Sequence, residues 1–150
     1  MGFSFWWILK VFSGLSLIFY TLGKTYYTET PIAWNKLFFF QCLILIGATV
    51  SLVHYQIFKK QKIRFSDPHQ LVHSGGLFRW IRHPMYLGDF LIMAGFGGIA
   101  NDKIGILFVI LGWISLGIQC KIEDRLLGKQ FGEAHQLWKS HTRLLFPGLF

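Results

Sequence analysis

Apolar positions along this chain fall into four long runs broken by polar stretches, and within each run they are nearly continuous. The runs cover residues 3–22, 37–58, 84–100 and 104–120. A helix crossing the hydrocarbon core needs roughly 20 apolar residues. The first two runs meet that length, and the last two reach it by extending into the headgroup region. Only Asn101, Asp102 and Lys103 separate the third run from the fourth, so these two are expected to form one antiparallel helical hairpin. Small residues four apart, Gly47 with Ser51 and Ala94 with Gly98, suit close helix packing. Lys10, alone in the first run, is expected to snorkel towards its inner end. That run has no basic leader and no small-residue cleavage site, which makes it a retained span and not a signal peptide.

The pattern changes after residue 120. Leu126, Leu127, Phe131, His135 and Trp138 recur at three- and four-residue spacing, as on one face of an amphipathic helix lying at the interface. Gly128 and Gly132 weaken that helix, and Pro147 ends it. The expected fold is therefore all-α and integral to the membrane. It is a single domain over 1–150, with about four transmembrane helices, a loop at 59–83 and an amphipathic tail at 121–150.

Composition supports this class. Of 150 residues, 53% are hydrophobic and only 15% charged, too apolar for a water-soluble surface of this size. The net charge of +8 invites a nucleic-acid reading, but its location argues otherwise. Lys59, Lys60, Lys62, Arg64, Arg79 and Arg82 against Asp67 give the 59–82 loop +5, and the tail from 121 carries +2. The excess flanks apolar runs, as cytoplasmic loops and anionic headgroups require, and does not form one basic face. Both termini are then cytoplasmic. Cys42 and Cys120 belong to opposite ends of their spans, so no disulfide is expected, and no metal-ligand spacing appears. Small size and the lack of targeting signals point to a bacterial or archaeal inner membrane.

The densest chemistry lies at the head of the third run, in Gly75-Gly76-Leu77-Phe78-Arg79-Trp80-Ile81-Arg82-His83-Pro84-Met85-Tyr86-Leu87-Gly88-Asp89. Pro84 disfavours a helical His83 and is well placed to start a helix. Arg82, His83 and Tyr86 then surround a helix N-terminus, where free N–H groups attract anions. Counting from the tip near Asp102, Tyr86 lies 16 residues up one arm and Gln119 lies 17 down the other. They are level, and Glu123 is about 6 Å further on, at 1.5 Å per residue. Asp89, one turn after Tyr86, is an acid just inside the apolar run, paired with Lys121 or Arg125 or taking part in a site. His54, near the inner end of the second run, reads as a capped or interfacial histidine.

The ordered set Arg82-His83-Pro84-Met85-Tyr86-Leu87-Gly88, Glu123-Asp124, Phe131-Gly132-Glu133-Ala134-His135-Gln136-Leu137-Trp138 and Phe146-Pro147-Gly148 resembles the isoprenylcysteine carboxyl methyltransferase and phospholipid N-methyltransferase group of membrane enzymes. The resemblance covers roughly residues 70–148. It implies S-adenosylmethionine as cofactor, contacted by Gln70, Leu71, Val72, His73, Phe78, His83, Pro84, Met85, Tyr86 and Glu123, and a lipophilic acceptor, either an isoprenylcysteine-like carboxylate or a phospholipid amine. Arg82, His83 and Asp89 are the candidate catalytic groups. Gln119 stands where the prenylcysteine enzymes carry an arginine for the substrate carboxylate, and glutamine supplies no charge. Membrane lipids are the expected partners, with neither nucleic acid nor metal. Sterol reductases, which use NADPH, carry an RHPxYxGD-like segment too, as Gly88-Asp89 does here. A membrane reductase and a non-catalytic relative are therefore the alternative readings.

Overall fold

The computed structural model describes residues 4–28, 34–60 and 76–146. Among these residues five α-helices follow in order: α1 (Phe5–Tyr27), α2 (Trp34–Lys60), α3 (Pro84–Ala100), α4 (Lys103–Phe131) and α5 (Glu133–His141), with a 3-10 turn at Gly76–Arg79 before α3. Among the described residues there is no strand, and Ile81 and Arg143 form an isolated parallel bridge. Helices α1, α2 and α4 are long and apolar enough to cross a membrane, and α3 is a shorter apolar helix. Many of their apolar side chains point outward, including Phe12, Phe19, Phe38, Leu45, Ile106 and Leu107. Such surface is a liability in water and the norm against lipid.

Local chemistry sets the helix ends. Ser4 caps α1, its hydroxyl accepting from the Trp7 N–H at 3.1 Å. Proline at the first position of α3 arrives with the helical φ and no N–H to satisfy. Asn101, with φ +47, turns the chain out of α3, a left-handed conformation that asparagine tolerates. Asp102 then opens α4, with Oδ1 accepting from the Gly105 N–H at 2.8 Å. Where the periodicity suggests a tail helix starting afresh at 121, α4 continues unbroken to Phe131. Residues 121–130 are mostly good helix formers, and the roughly 1 kcal/mol penalty of Gly128 does not break the run. The break falls at Gly132, with φ +51.

Two compact units make up the chain, Met1–Ala48 with Asp89–Gln119, and Thr49–Gly88 with Cys120–Phe150. The first unit has Leu17, Met93 and Val109 at its core, packed by Phe96, Phe108 and Trp113. Glycines let its helices approach. A Cβ at Gly97 would meet Val109 at 2.3 Å, and one at Gly98 would meet Phe40 at 2.1 Å. Gly97, not Gly98, therefore closes the α3–α4 hairpin, while Gly98 serves α2. Two ion pairs tie α1 to the hairpin. Lys24 Nζ lies 2.6 Å from Asp102 Oδ2 and donates to the Ala100 carbonyl at 2.7 Å, a cation on the C-terminus of α3. Burial pushes the Asp102 carboxyl up, but Lys24, Tyr20 and the Gly105 N–H outweigh it and hold it down to about 2. Lys10 Nζ lies 2.9 Å from Asp89 Oδ2, so it is paired where the sequence suggests snorkelling.

The second unit packs Phe78, Leu127 and Trp138 together, with Ile57 and Phe131 against them. Leu126, expected on the same face, is 43% exposed. His54 is structural: Nδ1 donates to the Val50 carbonyl at 2.7 Å and Nε2 accepts from the Leu77 N–H at 2.9 Å, a neutral tautomer with both nitrogens used. Gly76 sits on that ring with φ +62, and a Cβ there would lie 2.9 Å from His54 Nε2. Cys42 and Cys120 are not joined by a disulfide.

Candidate active site

The second unit gathers most of the sequence-predicted residues. Arg82 lies at a bend and His83 in the non-helical step that Pro84 favours before it, and both are buried. Two backbone bonds hold this segment to the tail: the Arg82 N–H donates to the Arg143 carbonyl at 2.8 Å and the His83 N–H to that of Leu144 at 3.2 Å. In the first turn of α3, Pro84 has no N–H, while Tyr86 and Leu87 donate to the His83 carbonyl. That turn thus offers an anion at most the Met85 N–H, less than the sequence suggests. The Met85 carbonyl accepts from Ser51 Oγ at 3.0 Å.

Glu123 faces this segment. Tyr86 Oη donates to Glu123 Oε1 at 2.7 Å, and His83 Nδ1 lies 3.7 Å from Glu123 Oε2. The His83 and Tyr86 rings stack, with centroids 5.6 Å apart and planes 18° apart. Burial pushes the His83 imidazole down to about 4, against the pull of Glu123 and Asp124. His83 is therefore neutral at physiological pH, and its approach to Glu123 is a dipole on a charge. With Nδ1 turned to Glu123, Nε2 is buried without a hydrogen-bond partner.

Asp124, the next residue, faces a different set. Arg82 Nε lies 2.7 Å from Asp124 Oδ1, His135 Nε2 3.3 Å from the same oxygen, and Lys139 Nζ 3.4 Å from Oδ2. The Arg82 contact is an ion pair without an aligned N–H, since Nε and Oδ1 have no hydrogen-bond geometry. Arg82 Nη1 donates to the Thr142 carbonyl at 2.7 Å and to Thr142 Oγ1 at 3.2 Å, a guanidinium capping the C-terminus of α5. Burial lowers His135, against the attraction of Asp124.

Among the expected cofactor contacts, His83, Pro84, Met85, Tyr86 and Glu123 come together. Phe78 is a core residue, in an edge contact with His54 at 5.4 Å. Gln70, Leu71, Val72 and His73 lie outside the described residues. Asp89 and Gln119 belong to the other unit and are engaged there. Asp89 pairs with Lys10, not with Lys121 or Arg125. Gln119 Oε1 accepts from Ser4 Oγ. The clamp residues Lys139 and Thr142 escape sequence reading because much of what they offer Arg82 is backbone carbonyl.

The phospholipid methyltransferase family matches residues 36–134. The chain belongs to the phospholipid methyltransferase family. Methyl transfer at a membrane lipid is the activity this membership implies, and the matched region carries both the His83–Tyr86 segment and the Glu123–Asp124 pair. No curated protein and no solved structure matches the chain.

A pH dependence follows from His83. Its folded pKa of about 4 lies below its ordinary 6.5, so between these values the unfolded chain binds the extra proton. Stability is fully present above pH 6.5 and is lost as pH falls towards 4, by up to about 3 kcal/mol. The unfolding midpoint of detergent-purified protein should drop across this window, and His83→Gln should flatten the drop. Superimposable pH profiles for the two proteins would refute the assignment.

Proposed function

We propose that this methyltransferase moves the methyl group of S-adenosylmethionine to the amine headgroup of a membrane phospholipid, at the cytoplasmic face. The observation that carries the reading is the Tyr86–Glu123 hydrogen bond beside the buried, unpartnered Nε2 of His83. These groups fit the cofactor. Glu123 is a carboxylate for the ammonium of its amino-acid moiety, and the stacked faces of His83 and Tyr86 suit a cationic sulfur. Met85 and Pro84 complete the same wall, with Gln70 to His73 proposed as the rest of it. S-adenosylmethionine, when bound, supplies a methyl carbon on a positive sulfur, which leaves as S-adenosylhomocysteine when the acceptor nitrogen displaces it. An amine acceptor must lose a proton, and neutral His83 offers Nε2 to receive it. Arg82, paired with Asp124 and donating from Nη1 to Thr142, is assigned to positioning His83 and not to contact with substrate.

The neutral Gln119, held by Ser4, offers no fixed cation to a carboxylate acceptor, which favours the amine. In this reading α1 to α4 are four spans with both termini inside, and α5 is the amphipathic helix of the tail. The 17 residues of α3 rise about 25 Å and reach the headgroups through the segment before Pro84.

Calorimetric titration of detergent-purified protein with S-adenosylhomocysteine, and in parallel with NADPH, tests the cofactor. Micromolar binding of the first alone is expected, followed by transfer of labelled methyl to phosphatidylethanolamine in vesicles. Binding of NADPH alone would move the chain to the reductases, and binding of neither would make it a non-catalytic member of the family.

A further inference from the structure

The second unit carries an open groove of about 570 Å³ that the methyl-transfer site does not use. Lys121, Arg125 and Lys129 line it, recurring every four residues and so forming one stripe along α4. At 100° per residue this stripe lies on roughly the opposite side of α4 from Glu123. Lys139 of α5 forms the facing wall. Gly128 and His135 line the groove between them, and a Cβ at Gly128 would lie 3.3 Å from the His135 ring. His135 is 2% exposed, and its Nδ1 has no hydrogen-bond partner.

Three features give the groove its chemistry. Lys121, Arg125 and Lys129 are exposed and have no acidic partner among the described residues. Asp124, the one acid among the described residues that line the groove, is already shared by Arg82, His135 and Lys139. Like charges four residues apart on a helix repel, by about 0.2–0.5 kcal/mol per pair, and an anion in the groove removes that repulsion. The stripe also begins where the apolar run of α4 ends, after Cys120, so on a spanning helix it falls at headgroup level.

We propose that this groove binds the phosphate of an anionic phospholipid headgroup, of the phosphatidylglycerol class, as a lipid distinct from the methyl acceptor. The cations supply the charge, and the buried His135 ring lines the groove between the two helices. The inference requires the chain to lie in a bilayer and is independent of the methyl-transfer reading.

The test follows thermal unfolding of the dodecylmaltoside-solubilised protein during titration with dihexanoyl phosphatidylglycerol, dihexanoyl phosphatidylcholine or inorganic phosphate. Phosphatidylglycerol should raise the midpoint saturably, and phosphatidylcholine should not. Removing a cation should weaken the response roughly fivefold, so Lys121→Gln with Arg125→Gln shifts it roughly 25-fold and Lys129→Gln alone roughly fivefold. S-adenosylhomocysteine binding should be unchanged in all three substitutions. Equal responses to the two lipids, or an undiminished response in both the double and the single variant, would overturn the proposal. A response to phosphate matching that to phosphatidylglycerol would overturn the lipid assignment in favour of a free-anion site.

Discussion

Asp124→Ala should destabilise the second unit by roughly 3–5 kcal/mol, the largest stability loss expected of any single substitution in it. The cause is what the substitution leaves behind. Arg82 is only 7% exposed and loses the carboxylate 2.7 Å from its Nε, so a buried guanidinium remains without its counter-charge. The carbonyl of Thr142 still accepts from Nη1 but does not neutralise it. Asp124→Asn keeps the shape and should fall between. The decisive comparison is Arg82→Met with Asp124→Leu, which removes both charges and should recover much of the loss. Chemical unfolding of the four proteins in detergent measures the coupling. A double variant no more stable than Asp124→Ala would show that the damage is packing and not charge.

Glu123→Gln gives the second large effect, and its readout is different. The side chain keeps its size and can still accept from Tyr86, so the fold should stand. A carboxamide cannot pair with the ammonium of the cofactor. Losing one partner of a partly buried charge pair is worth about 2–5 kcal/mol, so S-adenosylhomocysteine binding should weaken roughly 30-fold or more. His83→Gln should bind more nearly as the parent does yet transfer methyl more slowly, on the order of 100-fold, because the base is gone while the carboxylate remains. Calorimetry and initial rates on both variants separate the roles. Equal affinity in Glu123→Gln and the parent would remove Glu123 from the cofactor site.

Much of this arrangement is legible in the sequence because it rests on local rules. Pro84 dictates a non-helical His83 and a helix start, and α3 begins there. Counting residues from the tip at Asp102 puts Tyr86 within reach of the acids after Gln119, and Tyr86 does bond Glu123. What escapes depends on which distant side chain meets which. The partner of Asp89 is Lys10, 79 residues away, because the register of α1 against the hairpin leaves no trace in the periodicity of either. Gly97 and Gly98 are equivalent in sequence and serve different neighbours. Arg82 reads as chemistry from its motif, yet its partners include the carbonyl groups of a later turn, which no residue type announces.

The hold of Arg82, His83 and Asp124 on residues 139–144 sets an order of assembly during synthesis. The apolar helices can enter the membrane as they emerge, but the clamp cannot close until Leu144 has left the ribosome. Until then Arg82 and Asp124 lack the carbonyls and the lysine that surround them. A chain stopped short of Lys139 would therefore insert and accumulate with its His83 segment unsecured, present in the bilayer and open to quality-control proteases.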